Sequence, residues 1–187
     1  MGNEAIPMGY WPIYIDLTDR LCLVVGGGRV GERKVRGLLE AQARVRLVSR
    51  AVTDGLERLI RDGDVDWVDR EYSARHMDQA ALVMAATDDR GLNARVSRDA
   101  VNRGLWVNVA DQPDLCTFIL PASIRRGDLC VAVSTGGASP ALAARLRREL
   151  EEDFGPHWAP LLKLFRSIRR RLLELGRTPD DNKRLFL

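Results

Sequence analysis

The sequence is short of the residues that build metal centres and disulfide frameworks. Its 187 residues include three cysteines, which are far apart and form no CxxC pair, and two histidines. An odd number of widely spaced cysteines indicates neither a zinc site nor a disulfide framework, so we expect no metal ligands and reduced thiols. Cys22 and Cys130 lie in apolar, strand-like runs, and we predict that both are core residues. His76 and His157 lie outside any acidic or cysteine cluster, which favours packing or surface roles.

Long apolar stretches and a large excess of one charge are also absent. The longest apolar runs, such as Leu21–Val25 and Leu82–Ala86, fall well short of the ~20 residues that a membrane-spanning helix needs. The N-terminus lacks a basic start followed by an apolar stretch, so no secretory signal is indicated. The 29 Lys and Arg residues stand against 26 Asp and Glu residues, for a net charge of +3. We therefore predict a cytoplasmic protein that binds neither membrane nor nucleic acid, although a basic helix predicted at 161–175 keeps an anionic partner open.

Apolar runs that alternate with helical segments occupy roughly residues 10–113. Hydrophobic residues make up 45% of the chain, which is enough for a globular core. The strand-like runs lie at 21–25, 45–48, 65–68, 82–86 and 105–110. Strands that alternate with helices predict an α/β fold with a doubly wound parallel sheet of the Rossmann type, covered on both faces. The apolar character of the runs agrees, because central parallel strands are buried on both sides.

The pattern changes after residue 113. We predict two strands at Phe118–Leu120 and Leu129–Ser134, joined by a turn at 126–128, and the alternation in the second strand indicates a half-exposed sheet. An open strand edge of this kind invites pairing with a second copy of the chain. Ser139 and Pro140 predict a helix to about residue 150, with Ser139 as its N-cap. A second, amphipathic helix is predicted from Leu161.

A glycine cluster is the most informative motif. Gly26-x-Gly28-x-x-Gly31 follows the first predicted strand and opens a helix. In a dinucleotide-binding turn, the first glycine permits the tight turn, the second lets the backbone approach a pyrophosphate, and the third lets helix and strand pack closely. The helix N-terminus then offers N–H donors to the phosphates. A purely structural turn is the alternative, and the strand–turn–helix context favours the dinucleotide.

The end of the second strand does not identify the dinucleotide. NAD-binding turns commonly place Asp or Glu there, whereas Val48 is followed by Ser49 and Arg50. Arg50 could meet a 2′-phosphate and so favour NADP, Ser49 could hydrogen-bond the ribose, or Arg50 could be an exposed loop residue. All three interpretations stay open on these residues alone.

Two aspartates follow strands that end at the expected ligand crevice. In open parallel sheets, ligands bind beyond the carboxyl ends of the strands. Asp88 follows the fourth strand, and we expect Thr87-Asp88 to cap the next helix. Asp111 follows the fifth strand and opens a proline-containing loop, where a turn role and a role in proton transfer are equally open.

At this point the sequence resembles the precorrin-2 dehydrogenase/sirohydrochlorin ferrochelatase family, which also forms the N-terminal part of sirohaem synthase. The matching stretches are Pro12–Ile15, LCLVVGGGRVGERKVRGLLEAQA at 21–43, AATDD at 85–89, NVAD at 108–111, FILPASI at 118–124 and VAVSTGGASPALAARLR at 131–147. The resemblance implies an NAD-binding Rossmann domain at 1–113, a small α+β dimerisation segment at 114–150 and a short helical tail at 151–187. It also implies a homodimer that dehydrogenates precorrin-2 to sirohydrochlorin with NAD+, and some family members insert Fe2+ as well. The methyltransferase half of the fused enzyme is not expected in this chain, so precorrin-2 would come from another protein.

The resemblance also implies roles for particular residues. Asp111 matches the family's acid/base aspartate. The cofactor-binding positions are Gly26, Gly28, Arg29, Val30, Gly31, Arg50, Ala51 and Thr87. The substrate-binding positions are Thr135, in the loop of the expected tetrapyrrole cleft, and Arg125 and Arg145, because arginines recognise carboxylates bidentately. Arg126, Arg147 and Arg148 are further candidates, and ordinary surface charge is the alternative for all of these arginines.

Two functions from other classes stay open beside the enzyme. A regulatory module could bind a dinucleotide on the same fold and pass its occupancy to a partner without chemistry. A nucleic-acid binder could use the basic helix, and it would show steeply salt-dependent affinity.

Overall fold

A computed structural model describes residues 9–176. The described chain divides into two compact units, with the boundary in the sequence between Leu120 and Pro121. Residues 1–8 and 177–187, which belong to the predicted first domain and to the predicted tail, lie outside the described residues.

The first unit is built on a five-stranded parallel sheet. Its strands are β1 (Leu21–Gly27), β2 (Arg44–Val52), β3 (Val65–Asp69), β4 (Leu82–Ala85) and β5 (Trp106–Val109). Their order is β3-β2-β1-β4-β5, with every neighbouring pair parallel. The predicted doubly wound Rossmann-type sheet is therefore confirmed. The change of direction on either side of β1 creates the crevice in which such sheets bind ligands.

Helices cover both faces of the sheet because successive side chains of a strand point to opposite sides. In β1, Cys22 and Val24 face one core, and Leu23 and Val25 face the other. The connecting helices are α1 (Arg29–Glu40), α2 (Asp54–Arg61) and α3 (Arg90–Asn102), with a 3₁₀ turn at Ala74–Met77. The first core receives α1 and α2, whereas the second receives α3 and the 3₁₀ turn.

Side-chain caps determine where two of these helices begin. Thr53 caps α2, and its hydroxyl accepts a hydrogen bond from the Leu56 amide at 3.2 Å. Helix α3 is capped by Asp89, whose carboxylate accepts from the Leu92 amide at 3.0 Å. The prediction that Thr87-Asp88 forms this cap is wrong by one residue, because a cap must directly precede the first helical residue.

The second unit contains an antiparallel hairpin and two helices. The hairpin pairs β6 (Ala122–Arg126) with β7 (Leu129–Val133), followed by α4 (Pro140–Asp153) and α5 (Trp158–Glu174). The predicted strand at Phe118–Leu120 is wrong, because the two-residue loop pairs Arg126 directly with Leu129 and so places the strand at 122–126. Ser139 caps α4 as predicted, since its hydroxyl accepts from the Leu142 amide at 3.2 Å.

Polar contacts join elements of this second unit. Arg126 donates to the Phe154 carbonyl at 3.0 Å and pairs with Glu151 at 3.2 Å, which ties β6 to the end of α4. Among its residues up to 176, Ile124 and Ala143 are the buried ones. The unit therefore leaves most of its apolar side chains partly exposed.

Across residues 9–176, no helix is both long enough and apolar enough to cross a membrane.

Candidate dinucleotide and catalytic site

The glycine turn lies at the carboxyl end of β1 and has two glycines that accept no larger residue. Gly26 adopts a φ of +114°, a conformation that L side chains rarely adopt, and a Cβ there would collide with the Ala86 carbonyl after β4. A Cβ at Gly31, in the first turn of α1, would collide with the carbonyl of Gly26. Glycine at these two positions thus permits the turn and its close packing against the helix.

Gly28 differs from its neighbours because it faces open space. An added Cβ would meet no atom within 4 Å, and its φ of −76° suits any residue. Gly28 is the N-cap of α1, and no side chain caps the amides of the first turn, which include those of Arg29, Val30 and Gly31. Uncapped amides beside open space are the arrangement that binds the pyrophosphate of a dinucleotide. These residues therefore fit the cofactor that the motif predicts.

The end of β2 packs against Gly27, which lies between the first two glycines of the motif. The motif spacing did not reveal this contact. A Cβ at Gly27 would collide with the Ala51 carbonyl, and the Ser49 hydroxyl donates to the same carbonyl at 2.6 Å. Arg50 extends into solvent, where its guanidinium lies 3.6 Å from the Glu71 carboxylate. The hydroxyl of Ser49 is thus engaged locally, whereas Arg50 is open to a ligand.

Glu32 joins the helix that follows the glycine turn to the start of α2. Its carboxylate accepts from the Thr53 hydroxyl at 2.5 Å and from Arg36 at 2.7 Å. These hydrogen bonds hold the pKa of Glu32 below its usual value of 4.5. A Cβ at Gly55 would collide with this carboxylate, which explains a glycine in the first turn of α2.

Thr87, predicted to bind the cofactor, lies after β4 and makes a local network. Its hydroxyl donates to the Asn93 side-chain oxygen at 2.8 Å, and the Asn93 amide donates back to the Thr87 carbonyl at 2.9 Å. Asn93 is buried in α3. The network fixes the backbone beside the glycine turn, because Gly26 lies against the adjoining Ala86 carbonyl.

Asp111, the candidate acid/base, lies at the carboxyl edge of β5. The preceding Ala110 amide still donates to the Ala85 carbonyl of β4 at 2.8 Å, so sheet pairing holds the backbone up to this point. Asp111 then turns out of the sheet with a φ of +57°, and its side chain is exposed. A carboxylate at the strand edge that borders the crevice can accept a proton from a bound substrate.

A polar network that the sequence did not reveal joins α1, β5 and the segment that follows Asp111. The Lys34 ammonium of α1 donates to the Asn108 side-chain oxygen in β5 at 3.0 Å, and the Asn108 amide donates to the Phe118 carbonyl at 3.0 Å. The Val109 amide donates to the Cys116 sulfur at 3.1 Å. Lys34 and Asn108 are 74 residues apart, so no local pattern brings them together. The signal available in the sequence was that Lys34 lies just after Gly31 of the glycine motif and that Asn108 lies just before Asp111.

The predicted substrate residues lie on the second unit. The Thr135 hydroxyl donates to the Ser139 carbonyl at 3.0 Å and accepts from the Ser139 amide at 3.1 Å, which fixes the loop before α4. Arg125 is an exposed residue of β6, and Arg145, on α4, pairs with Glu149 at 2.7 Å. Of the other arginine candidates, Arg126 and Arg147 both contact Glu151, whereas Arg148 is exposed.

No group of three or more His, Cys, Asp or Glu residues within 9–176 is arranged to hold a metal ion.

The sheet order, the glycine turn and the uncapped helix define a dinucleotide-binding protein of the Rossmann type. A family model described as "Putative NAD(P)-binding" matches residues 13–122, and the chain belongs to this NAD(P)-binding family. A second model, described as sirohaem biosynthesis protein central, matches residues 126–152. The predicted resemblance to the precorrin-2 dehydrogenase and sirohaem synthase family is thus confirmed.

Individual relatives agree with the family models. The chain is 42% identical over 180 residues to a siroheme synthase of Pseudomonas paraeruginosa and 45% identical over 184 residues to one of Nitrosomonas europaea, with 96% of the chain covered in both. The chain spans 38% of the length of each of these relatives. A solved structure described as "SirC, precorrin-2 dehydrogenase" matches 94% of the chain and 87% of its own chain, with a TM-score of 0.77 and 24% identity. That structure supports the fold.

Proposed function

We propose that this chain catalyses the NAD-dependent dehydrogenation of precorrin-2 to sirohydrochlorin in sirohaem biosynthesis. The observation that carries the proposal is an exposed carboxylate, Asp111, at the same sheet edge as the glycine turn. The names of the siroheme synthase relatives and the sirohaem biosynthesis model supply the substrate class.

NAD is the proposed cofactor, held at Gly26, Gly28, Arg29, Val30 and Gly31, with the adenosine side towards Arg50 and Ala51 and with Thr87 beside the turn. Glu71 favours NAD over NADP, because its carboxylate lies 3.6 Å from the Arg50 guanidinium and would repel a 2′-phosphate. The test compares kcat/KM with NAD+ and with NADP+ in the wild type and in Glu71→Gln. We expect a preference for NAD+ that narrows in the variant, and a preference for NADP+ in the wild type would contradict the assignment.

The mechanism divides the chemistry between cofactor and protein. NAD+ held at the glycine turn would supply the hydride acceptor for a carbon of the reduced macrocycle. The Asp111 carboxylate would accept the proton lost from the substrate, and the electron pair of the bond to that proton would form the new double bond. The exposed side chain of Asp111 suits this role, because a general base must reach the proton it removes.

We further propose that the second unit recognises the substrate carboxylates. Thr135 would line the cleft, and the guanidinium groups of Arg125 and Arg145 would bind carboxylates bidentately. Arg125→Gln and Arg145→Gln are then expected to raise the KM for precorrin-2 and to leave NAD+ affinity unchanged. Arg98→Gln, which removes an exposed arginine of α3 that is not among the substrate candidates, shows whether any general loss of positive charge has this effect.

The chain is also proposed to act as a homodimer through the segment 114–150. This proposal is supported by the scarcity of buried residues in the second unit and by the outer edges of its hairpin, which a second copy can cover. Light scattering during size exclusion should give a mass near twice 20.9 kDa. A monomer at micromolar concentration would contradict the proposal.

The decisive experiment is anaerobic turnover of precorrin-2 with NAD+, followed by the absorbance of NADH. Fe2+ or Co2+ is then added to the product as a substrate for metal insertion. NADH formation supports the dehydrogenase, and accelerated metal insertion over the no-enzyme control would add a chelatase activity. Binding of NAD+ without NADH formation would instead favour the dinucleotide-sensing module.

A further inference from the structure

Lys34 carries a positive charge into a half-buried position, where its hydrogen-bond partner is neutral. Its ammonium donates to the neutral side-chain oxygen of Asn108 at 3.0 Å, and no acidic group of residues 9–176 lies within ion-pair distance of it. Burial lowers the pKa of Lys34, and the nearby Arg33 lowers it further. Removing a cation from water carries a free-energy cost. The position therefore calls for a role beyond packing.

The partner of Lys34 controls the base of the loop that carries Asp111. Asn108 is buried, and its side-chain amide donates to the Phe118 carbonyl at 3.0 Å, so its oxygen is left facing Lys34. The loop begins after β5, in which Asn108 lies, and it ends at Phe118. The Asn108 carboxamide thus joins the two ends of the loop, and the Lys34 ammonium of α1 holds it in place.

Further contacts close the same loop. The Thr117 amide donates to the Val107 carbonyl at 2.9 Å, and the Val107 amide donates to the Thr117 hydroxyl at 2.8 Å. The Cys116 sulfur accepts from the Val109 amide at 3.1 Å. The loop is therefore short and fixed at its base, and Asp111 leaves the sheet within it.

We propose that Lys34 is a positioning residue, which holds Asn108 and with it the loop of Asp111 relative to the helix that binds the cofactor phosphates. This inference rests on the proposed function. Lys34 lies on α1, whose first turn would bind the pyrophosphate, so one side chain connects the cofactor helix with the candidate base. Small errors in the placement of a catalytic group can cost ~100-fold in rate.

The charge of Lys34 gives the role a pH dependence. The titratable groups that face it are Arg33 on its own helix, and Asp111 and the Cys116 thiol from the loop. Because the pKa of Lys34 is lowered, the ammonium loses its proton at a lower pH than an exposed lysine would. Turnover should fall on the alkaline side as the ammonium loses its proton. Arginine stays protonated there, so Lys34→Arg should move this decline to higher pH.

The test uses Lys34→Met, Lys34→Arg and, as the matched control, Arg33→Met, which removes an exposed charge one residue away. Lys34→Met should lower kcat for precorrin-2 about 10–100-fold and change the Kd for NAD+ less than about threefold. Lys34→Arg should recover most of the kcat, and Arg33→Met should stay near the wild type. Wild-type kcat in Lys34→Met, or parallel losses of kcat, NAD+ affinity and thermal midpoint, would overturn the proposal.

A second readout needs no turnover and separates this inference from the proposed function. Alkylation of Cys116, followed by mass spectrometry of the native protein, reports how often the loop opens. Loss of a hydrogen bond from a charged group should raise the labelling rate about tenfold in Lys34→Met, and Arg33→Met should leave it unchanged. An unchanged rate in Lys34→Met refutes the positioning role. If Lys34→Met labels faster than the wild type but the wild type does not oxidise precorrin-2, the positioning role stands and the proposed substrate is refuted.

Discussion

Two glycines of the same turn should respond to alanine in opposite ways. Gly28 has an ordinary φ and open space at its Cβ position, whereas Gly26 has a φ of +114° and the Ala86 carbonyl against it. We therefore expect Gly28→Ala to impair dinucleotide binding and to leave the fold intact. Gly26→Ala should destabilise the fold itself.

The magnitudes follow from these geometries. In Gly26→Ala, an unfavourable φ costs ~1–2 kcal/mol and the collision a further ~1–3 kcal/mol. Together they should lower the thermal midpoint by roughly 5–15 °C in a chain of this size. In Gly28→Ala, a weaker N-cap is offset by a smaller unfolded-state entropy, so the net change in the free energy of unfolding stays within ~1 kcal/mol.

The binding effect of Gly28→Ala comes from the methyl group, which stands where the pyrophosphate must approach the backbone. Loss of one hydrogen bond to a charged group is worth ~1.5–3 kcal/mol, which corresponds to an increase of about 10–100-fold in the Kd for NAD+. Calorimetric titration gives the Kd, and thermal unfolding without ligand gives the stability. If Gly28→Ala binds NAD+ as the wild type does, the pyrophosphate does not pass this glycine and the reasoning fails.

Two substitutions and one labelling experiment test other parts of the molecule. Asp111→Asn should lower kcat by about 100–10,000-fold with NAD+ affinity preserved, and a wild-type kcat would remove the acid/base role. Glu32→Gln should cost ~1–2 kcal/mol of unfolding free energy near pH 7. The Thr53 and Arg36 hydrogen bonds lower the pKa of Glu32 from 4.5. The stabilisation is therefore complete above pH 4.5 and disappears as the pH falls through the lowered pKa. The unfolding midpoints of the variant and the wild type should then converge in acid. Burial raises the pKa of Cys22 to about 11, so iodoacetamide at pH 8 should label it in urea and leave it unmodified in the native state, and rapid native labelling would contradict its burial.

The sheet was predictable because its signals are local. Each strand is an apolar run, and the spacing of the glycines from Gly26 to Gly31 predicts the turn at the end of β1. The Ser139 cap was also predictable, since a cap acts on an amide three residues away. Local chemistry therefore determines most of the boundaries in the first unit.

The predictions for the strand at Phe118–Leu120 and for the cap of α3 were wrong. At these places a contact between residues distant in sequence, or a shift of one residue, determines the structure. Phe118–Leu120 has the apolar character of a strand, but the Phe118 carbonyl accepts from Asn108, and the short loop after Arg126 places the strand four residues later. The contact between Lys34 and Asn108 joins α1 to β5 through the folded sheet. Such a pair becomes visible only once the order of the strands is known.

The left-handed backbone of Asp111 also limits what this position can become as the sequence diverges. Aspartate, asparagine and glycine tolerate a φ of +57°, whereas β-branched residues there are strained. Selection for folding alone would thus retain a small set of residues, and selection for the proposed proton transfer would narrow that set to the carboxylate. Under the proposed function, asparagine or glycine at this position would mark a descendant that has kept the fold and lost proton transfer.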